Sequence, residues 1–243
     1  MTDNDISRLI RRLHLHSGLG HQSAEAIRAL PWRVVKRSRQ SYVLREGDQP
    51  KEVSVLLAGF AQRQKHTSEG TRQIVSFNVP GDPLDFECLF LDEADASVQM
   101  CTNGTIACVR TDAINSLLNK TPEISRAIST ALLVDAAIFR EWVVNVGRRD
   151  ARQRIAHLLC ELLVRLRSQH LETGVFDLPF TQEQLGDATG LTSIHVNRIL
   201  KLLAMEGAIG RDGRKITVPD WERLQEIADF DDRFLHMRRP SKS

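Results

Sequence analysis

The sequence predicts an α+β fold in three parts: a β-rich double-stranded jelly-roll domain, one long helix, and a C-terminal winged helix-turn-helix. Three observations predict it. Short strand-like runs punctuated by turn residues fill residues 34–109. A helix-forming run of unusual length follows Pro122. Near the C-terminus two helix starts flank Gly190, and Asp212-Gly213 marks a hairpin tip beyond them.

Taken in order, residues 6–13 and 23–30 read as short helices, carrying Leu9, Ile10 and Leu13 on one face and Ala26, Ile27 and Leu30 on the other helix's face. Residues 53–59 read as a strand with residues 60–66 as its partner, and residues 71–77 as a further strand. Residues 97–100 and 105–109 flank Asn103-Gly104, a dipeptide suited to the left-handed conformations of a two-residue turn, and so read as a hairpin. Turns at Glu46-Gly-Asp, Glu69-Gly and Pro80-Gly-Asp-Pro complete a pattern of short, regularly spaced strands. Residues 111–119 form a short helix.

Thr121-Pro122-Glu123 then supplies an N-cap, an N1 proline and an acidic first turn for the long helix. Ile124, Ile128, Ala131, Val134, Ile138 and Trp142 make a seam at three-to-four spacing, the expected dimerisation seam. Leu132, Leu133, Phe139, Val143 and Val144 are apolar on other sides. A helix apolar on more than one side needs two covers, which its own β domain and the same helix of a second subunit could supply; a single buried helix in a monomer is the alternative.

Gly147-Arg-Arg-Asp-Ala is the expected hinge, and residues 151–168 a helix with Ile155, Leu158, Leu159, Leu162, Leu163 and Leu166 on a broad face. Thr181 caps the next helix, Gly190 stops it, and Thr192-Ser193 restart the chain. Val196, Ile199, Leu200 and Leu203 share an apolar face, leaving Ser193, Ile194, Asn197, Arg198 and Lys201 near the other. Residues 205–218 read as a two-stranded wing and 220–230 as a closing helix. The expected boundaries are 1–120 for the N-terminal helices and β domain, 121–147 for the long helix, 148–232 for the winged domain and 233–243 for a loose basic tail.

Composition permits a partner of negative charge without demanding one. Net charge is +2, and from Arg148 onward 16 basic residues face 14 acidic ones, so the first part is balanced. No run is long and apolar enough to cross a membrane, and the first residues lack a signal-peptide pattern, so no membrane partner and a cytoplasmic location are expected. Cys88, Cys101, Cys108 and Cys160 match no zinc or cluster spacing, and no metal site is expected.

The order of parts, with Arg45-Glu-Gly-Asp, Leu56-Leu-Ala-Gly, Val79-Pro-Gly-Asp and above all Thr192-Ser-Ile-His-Val-Asn-Arg-Ile-Leu-Lys-Leu-Leu followed by Glu206-Gly-Ala-Ile, resembles the Crp/Fnr family of bacterial transcription regulators over nearly the whole chain. The resemblance implies a cyclic-nucleotide-binding-type β-roll as sensor and a homodimer joined through its long helices. It also implies a recognition helix from each subunit in the major groove of near-palindromic double-stranded DNA, effector-driven reorientation of the DNA-binding domains, and RNA polymerase as a further partner. The chain is then a non-enzymatic regulator. A pure protein-interaction module is the rival reading, and an enzyme built on His157 and Cys160 is disfavoured by their leucine-rich surroundings.

In a major groove, the planar donor fork of Arg198 suits guanine O6 and N7. Asn197 fits an adenine edge or a phosphate. Ser193 and Ile194 stand where many relatives carry arginine or valine and then glutamate; Ile194 cannot accept from cytosine N4, and either touches a thymine methyl or supports the helix. The half-site should therefore differ from that of the Arg-Glu…Arg version. Thr181, Gln182, Thr192, His195, Lys201, Arg211, Arg214 and Lys215 are candidate phosphate contacts, with Ser193 able to act in either way.

Relatives that bind cyclic AMP resemble one another in a Gly-Glu followed downstream by Arg-Ser/Thr-Ala. Here that region carries Asp82, Asp85, Glu87, Asp92, Glu93 and Asp95, which would repel a phosphate. No cysteine precedes Cys88, which excludes the N-terminal four-cysteine cluster of oxygen-sensing relatives. Cys101 and Cys108 flank the Asn-Gly turn and form a candidate redox pair, with inert burial the commoner outcome. Isolated His14, His16, His21 and Cys88 are weak grounds for a haem, so no cofactor is expected. Control by an unidentified signal and constitutive activity both stay open.

Overall fold

The computed structural model describes residues 6–170, 175–213 and 215–237. The chain divides into two compact units, one of Met1–Gln64, Phe77–Ile138 and Leu235–Ser243, the other of Lys65–Ser76 and Phe139–Phe234. The elements in order are α1 (Ser7–Ser17), α2 (His21–Arg28), β1 (Arg33–Arg37), β2 (Tyr42–Leu44), β3 (Glu52–Ala58), β4 (Ala61–His66), β5 (Arg72–Asn78), β6 (Ser97–Met100), β7 (Gly104–Arg110), α3 (Thr111–Lys120) and α4 (Pro122–Arg148). After them come α5 (Ala151–Ser168), β8 (Val175–Asp177), α6 (Gln182–Thr189), α7 (Ser193–Met205), β9 (Gly210–Asp212), β10 (Lys215–Thr217) and α8 (Trp221–Ala228).

The strands form a three-stranded sheet, β1-β7-β3, and a four-stranded sheet, β2-β6-β4-β5; in the first unit Leu44, Leu56, Ala61, Leu84, Val98, Met100 and Ile106 form a core. The alternate side chains of β3 and β7, Val53, Val55, Leu57, Ala107 and Val109, face Leu9, Leu13, Ile27, Ile114, Ile124 and Ile128 of the helices. A strand covered on both faces must be apolar at nearly every position, which accounts for the run Val53-Ser-Val-Leu-Leu-Ala.

Two pairings expected from local signals are not formed. β3 pairs with β7 and β4 with β6, so the adjacent strands 53–59 and 60–66 belong to different sheets. Gly59 makes the corner at φ +87, and a Cβ there would lie 2.7 Å from the Asn103 carbonyl oxygen. Asn103-Gly104 likewise joins the two sheets instead of closing a hairpin between β6 and β7. The corners run side by side: Cys101 N donates to Phe60 O (2.8 Å), Phe60 N to Thr102 Oγ1 (3.0 Å), and Arg39 N to Asn103 Oδ1 (2.8 Å). Those long-range bonds outweigh the dipeptide's turn preference. In consequence Cys101 and Cys108 do not face each other. The Cys101 thiol donates to Gln62 Oε1 at 3.3 Å, whereas Cys108 Sγ lies 3.9 Å from Ser54 Oγ, and burial pushes the Cys108 thiol up. Both are buried cysteines outside any disulfide among the described residues, and they meet different partners.

The expected dimerisation seam also needs correcting. Ile124, Ile128, Ala131, Val134, Ile138 and Trp142 are at most 7% exposed within the single chain, so its own core covers them. The apolar side chains that α4 leaves exposed are Leu133 (68%), Val143 (73%) and Val144 (45%). Arg12, from α1, is buried between two carboxylates, 2.7 Å from Asp82 and 2.6 Å from Asp135 of α4.

In the second unit α5 begins after a two-residue break at Arg149-Asp150, with Asp150 and Gln153 forming a capping box, while Gly147 stays helical. Buried leucines of α5 lie under α7 and α8. His157 and Cys160 are core residues: the imidazole packs at 5.1 Å from Phe230 and 5.6 Å from Phe234, and burial pushes it down to about 3. The expected wing gains a third strand, giving the order β8-β10-β9. The tail is ordered beyond its expected start, since Asp232–Leu235 is a 3-10 turn with Leu235 buried; residues 238–243 lie outside the described ones.

Candidate nucleic-acid interface

The helix-turn-helix follows from local chemistry. The Thr181 hydroxyl accepts from Gln184 N while the Gln184 side chain accepts from Thr181 N, a capping box that starts α6. Gly190, at φ +68, closes it, and Thr192 Oγ1 accepts from His195 N to start α7. The turn is tight because Gly186 has no side chain: a Cβ there would meet the Leu191 carbonyl oxygen at 2.4 Å. Arg154 holds the same turn from below, donating to Thr189 O at 3.0 Å. Sequence reading missed both: Arg154 lies outside the motif, and the need for glycine at position 186 shows only once Leu191 is folded back onto α6.

Val196, Ile199, Leu200 and Leu203 are buried, as their spacing predicts. The opposite face carries Ser193, Ile194, Arg198 and Lys201, all exposed. Ile194 is 82% exposed and so does not support the core; its side chain is available to a ligand. Among the described residues Arg198 and Lys201 have no hydrogen-bond or ion-pair partner. Asn197 is half-buried and held from two sides: Gln182 Nε2 donates to its Oδ1 at 3.2 Å and Arg211 Nη1 at 3.0 Å. Arg211 and Gln182, both expected at phosphates, thus have a contact inside the protein. Thr181 and Thr192 combine a capping role with positions at helix N-termini, and Lys215 is exposed on β10. Arg214 lies outside the described residues. The second unit also places the 65–76 segment on α6, where Arg72 reaches Asp187 at 2.6 Å and Glu183 at 3.2 Å. The basic, exposed face of α7 is what the charge of a nucleic-acid backbone would meet.

Residues 153–227 match the family model of the Crp-like helix-turn-helix domain, and residues 34–121 that of the cyclic nucleotide-binding domain. The chain belongs to the Crp/Fnr family. It is similar to "Transcriptional activator protein FnrL" of Cereibacter sphaeroides, 29% identical over 78% of this chain and 77% of that one. It is also similar to "Anaerobic regulatory protein" of Haemophilus influenzae, 23% identical over 79% of this chain and 75% of that one. Among solved structures it resembles FixK2 from Bradyrhizobium japonicum with a TM-score of 0.76, at 23% identity, covering 82% of this chain and 98% of that one. A Crp/Fnr-family transcriptional regulator from Thermus thermophilus gives a TM-score of 0.62 at 20% identity, covering 82% and 99%. These likenesses share the fold: a β-rich N-terminal domain, long helices and a C-terminal helix-turn-helix.

This Crp/Fnr chain fills its β-roll with acidic groups. Asp82 is buried, accepting from Val79 N at 2.8 Å as well as from Arg12. Glu87 pairs with Arg63, whose guanidinium also donates to Leu84 O at 2.7 Å. Asp92, Glu93 and Asp95 are exposed. Asp85 is buried with Ser54 N at 2.6 Å; burial pushes its carboxyl up to about 7, against the Ser54 hydrogen bond. Between about pH 4 and 7 the folded carboxyl holds a proton that the unfolded one has released, so its stabilising contribution falls as pH rises through this window. Asp85→Asn keeps an acceptor for Ser54 N and removes the charge. Its gain in Tm over the parent should grow from pH 4 to pH 8 and then level off, reaching several degrees. Thermal unfolding followed by circular dichroism checks this; a difference independent of pH would contradict it. No helix among the described residues is long and apolar enough to cross a membrane.

Proposed function

We propose that this chain is a homodimeric, sequence-specific transcription regulator that sets α7 of each subunit in the major groove of a near-palindromic DNA site. The observation that carries this is the exposed face of α7, where Arg198 presents a guanidinium that no described residue engages. A planar donor fork left without a partner at the centre of a recognition helix matches guanine O6 and N7. Ile194, fully projecting, fits a thymine methyl, and the absence of a carboxylate at that position removes the acceptor for cytosine N4. Leu133, Val143 and Val144 give α4 the second apolar face that a partner helix would cover. The exposed carboxylates Asp92, Glu93 and Asp95, and the engagement of Arg63 by Glu87, favour control by a signal other than a cyclic nucleotide, whose phosphate those carboxylates would repel. RNA polymerase is the natural third partner for a chain whose relatives bear the names of transcriptional activator and anaerobic regulator.

Arg198→Ala should relax specificity at one G·C pair and weaken binding there by about 1–3 kcal/mol. Affinities for a bound site and its single-base variants, measured at one salt concentration, check this. An equal loss for every sequence would make Arg198 a phosphate contact and overturn the base-reading role.

A further inference from the structure

Asn197 lies beside the best base-reading candidate of α7, yet its amide is not free to turn. The guanidinium of Arg211 has only donors, so the Asn197 atom 3.0 Å from it must be the carbonyl oxygen, Oδ1. Gln182 Nε2 donates to the same oxygen at 3.2 Å. One donor comes from the wing, at the middle of β9, and the other from the first turn of α6. Arg211 is itself fixed, its Nε donating to Gly213 O at 3.3 Å. Both lone-pair directions of Oδ1 are thereby occupied, and the Asn197 Nδ2 group is the part left for a ligand. It borders the open depression between α7 and the wing, lined by Lys201, Ala204, Met205, Arg211 and Gly213.

Free asparagine reads adenine with both ends of its amide, accepting from N6 and donating to N7. An asparagine whose oxygen is committed cannot make that pair. It can only donate, to N7 of either purine, to guanine O6 or to thymine O4, and so it loses the second bond that favours adenine. Resting on the major-groove placement of α7 proposed above, we infer that Arg211 and Gln182 are positioning residues that lock Asn197 as a donor-only reader, so that it forfeits the bidentate pair with adenine and favours the exocyclic acceptor of guanine O6 or thymine O4, where adenine presents the N6 donor. The wing then shapes sequence preference through Asn197, in addition to any phosphate it touches.

The test is a base-by-base affinity profile of the full-length protein on its own enriched site, comparing the parent with Arg211→Ala, Arg211→Lys, Gln182→Ala, Asn197→Ala and the double variant Arg211→Ala/Asn197→Ala. In the parent, one base pair adjacent to that read by Arg198 should favour guanine or thymine, and Asn197→Ala should flatten that position alone. Arg211→Ala frees one of the two accepting directions of Oδ1, so relative affinity for adenine at that pair should rise about fivefold or more. Arg211→Lys, which still donates to Oδ1, should restore much of the parent preference, and Gln182→Ala should shift it in the same direction as Arg211→Ala but less. In the double variant, loss of Arg211 should have no further effect on the preference. Arg211 and Gln182 sit at the surface of the reading head, and circular dichroism verifies that each variant is folded. The inference is overturned if Arg211→Ala weakens all sequences alike with a shallower salt dependence, for then Arg211 serves a phosphate. A flat Asn197→Ala difference, or an adenine preference in the parent, also overturns it. Failure of the parent to select any sequence would instead remove the proposed function itself.

Discussion

Leu133→Asp combined with Val143→Asp should convert the protein to a monomer and weaken binding to its two-fold site by at least about a thousandfold. Both side chains project from α4 into solvent in the single chain, at 68% and 73% exposure, so the aspartates cost the subunit's own fold little. Across a two-fold axis each carboxylate would meet its own copy in the seam where an apolar pair is needed. A monomer engages one half-site and forfeits the second helix's contacts. Light scattering reads the oligomeric state and circular dichroism the fold. The comparison with Ile128→Asp is informative, because Ile128 is 1% exposed and that change should unfold the subunit. A double variant that stays dimeric would put the interface elsewhere.

Arg12→Ala should destabilise the first unit by about 3 kcal/mol. The guanidinium is 5% exposed and its two carboxylate partners remain after truncation. Asp82 is as buried as Arg12, so its charge would be left in the interior; Asp135 is 31% exposed in its side chain and water can partly take over there. Adding Asp82→Asn, which removes the deeper charge and keeps an acceptor for Val79 N, should recover part of the loss. Urea unfolding monitored in both variants gives the two differences. A cost under about 1 kcal/mol for Arg12→Ala would show that the site is hydrated enough to tolerate the bare pair.

The parts legible in the sequence were those fixed by neighbours along the chain. Thr181, Gln184, Gly190 and Thr192 set the limits of α6 and α7 through caps made within a few residues, so the helix-turn-helix could be read directly. The corners of the jelly roll could not. Asn103-Gly104 carries a strong hairpin preference, yet bonds from Arg39 and Phe60, distant in sequence, hold it as a crossing between sheets. The two faces of α4 posed a different problem. Ile124 to Trp142 and Leu133 to Val144 are both apolar stripes, and spacing alone does not say which one the chain's own strands will cover. Arg12 between Asp82 and Asp135, and Arg211 on Asn197, were hidden for the same reason: each joins residues that only the fold brings together.

The central claim is that α7 reads DNA sequence as one of a two-fold pair, and selection from a random double-stranded library at fixed salt tests it most directly. The expected result is enrichment of one near-palindromic sequence, with half-site centres about one helical turn, roughly 34 Å, apart. A library recovered without any enriched sequence would contradict it.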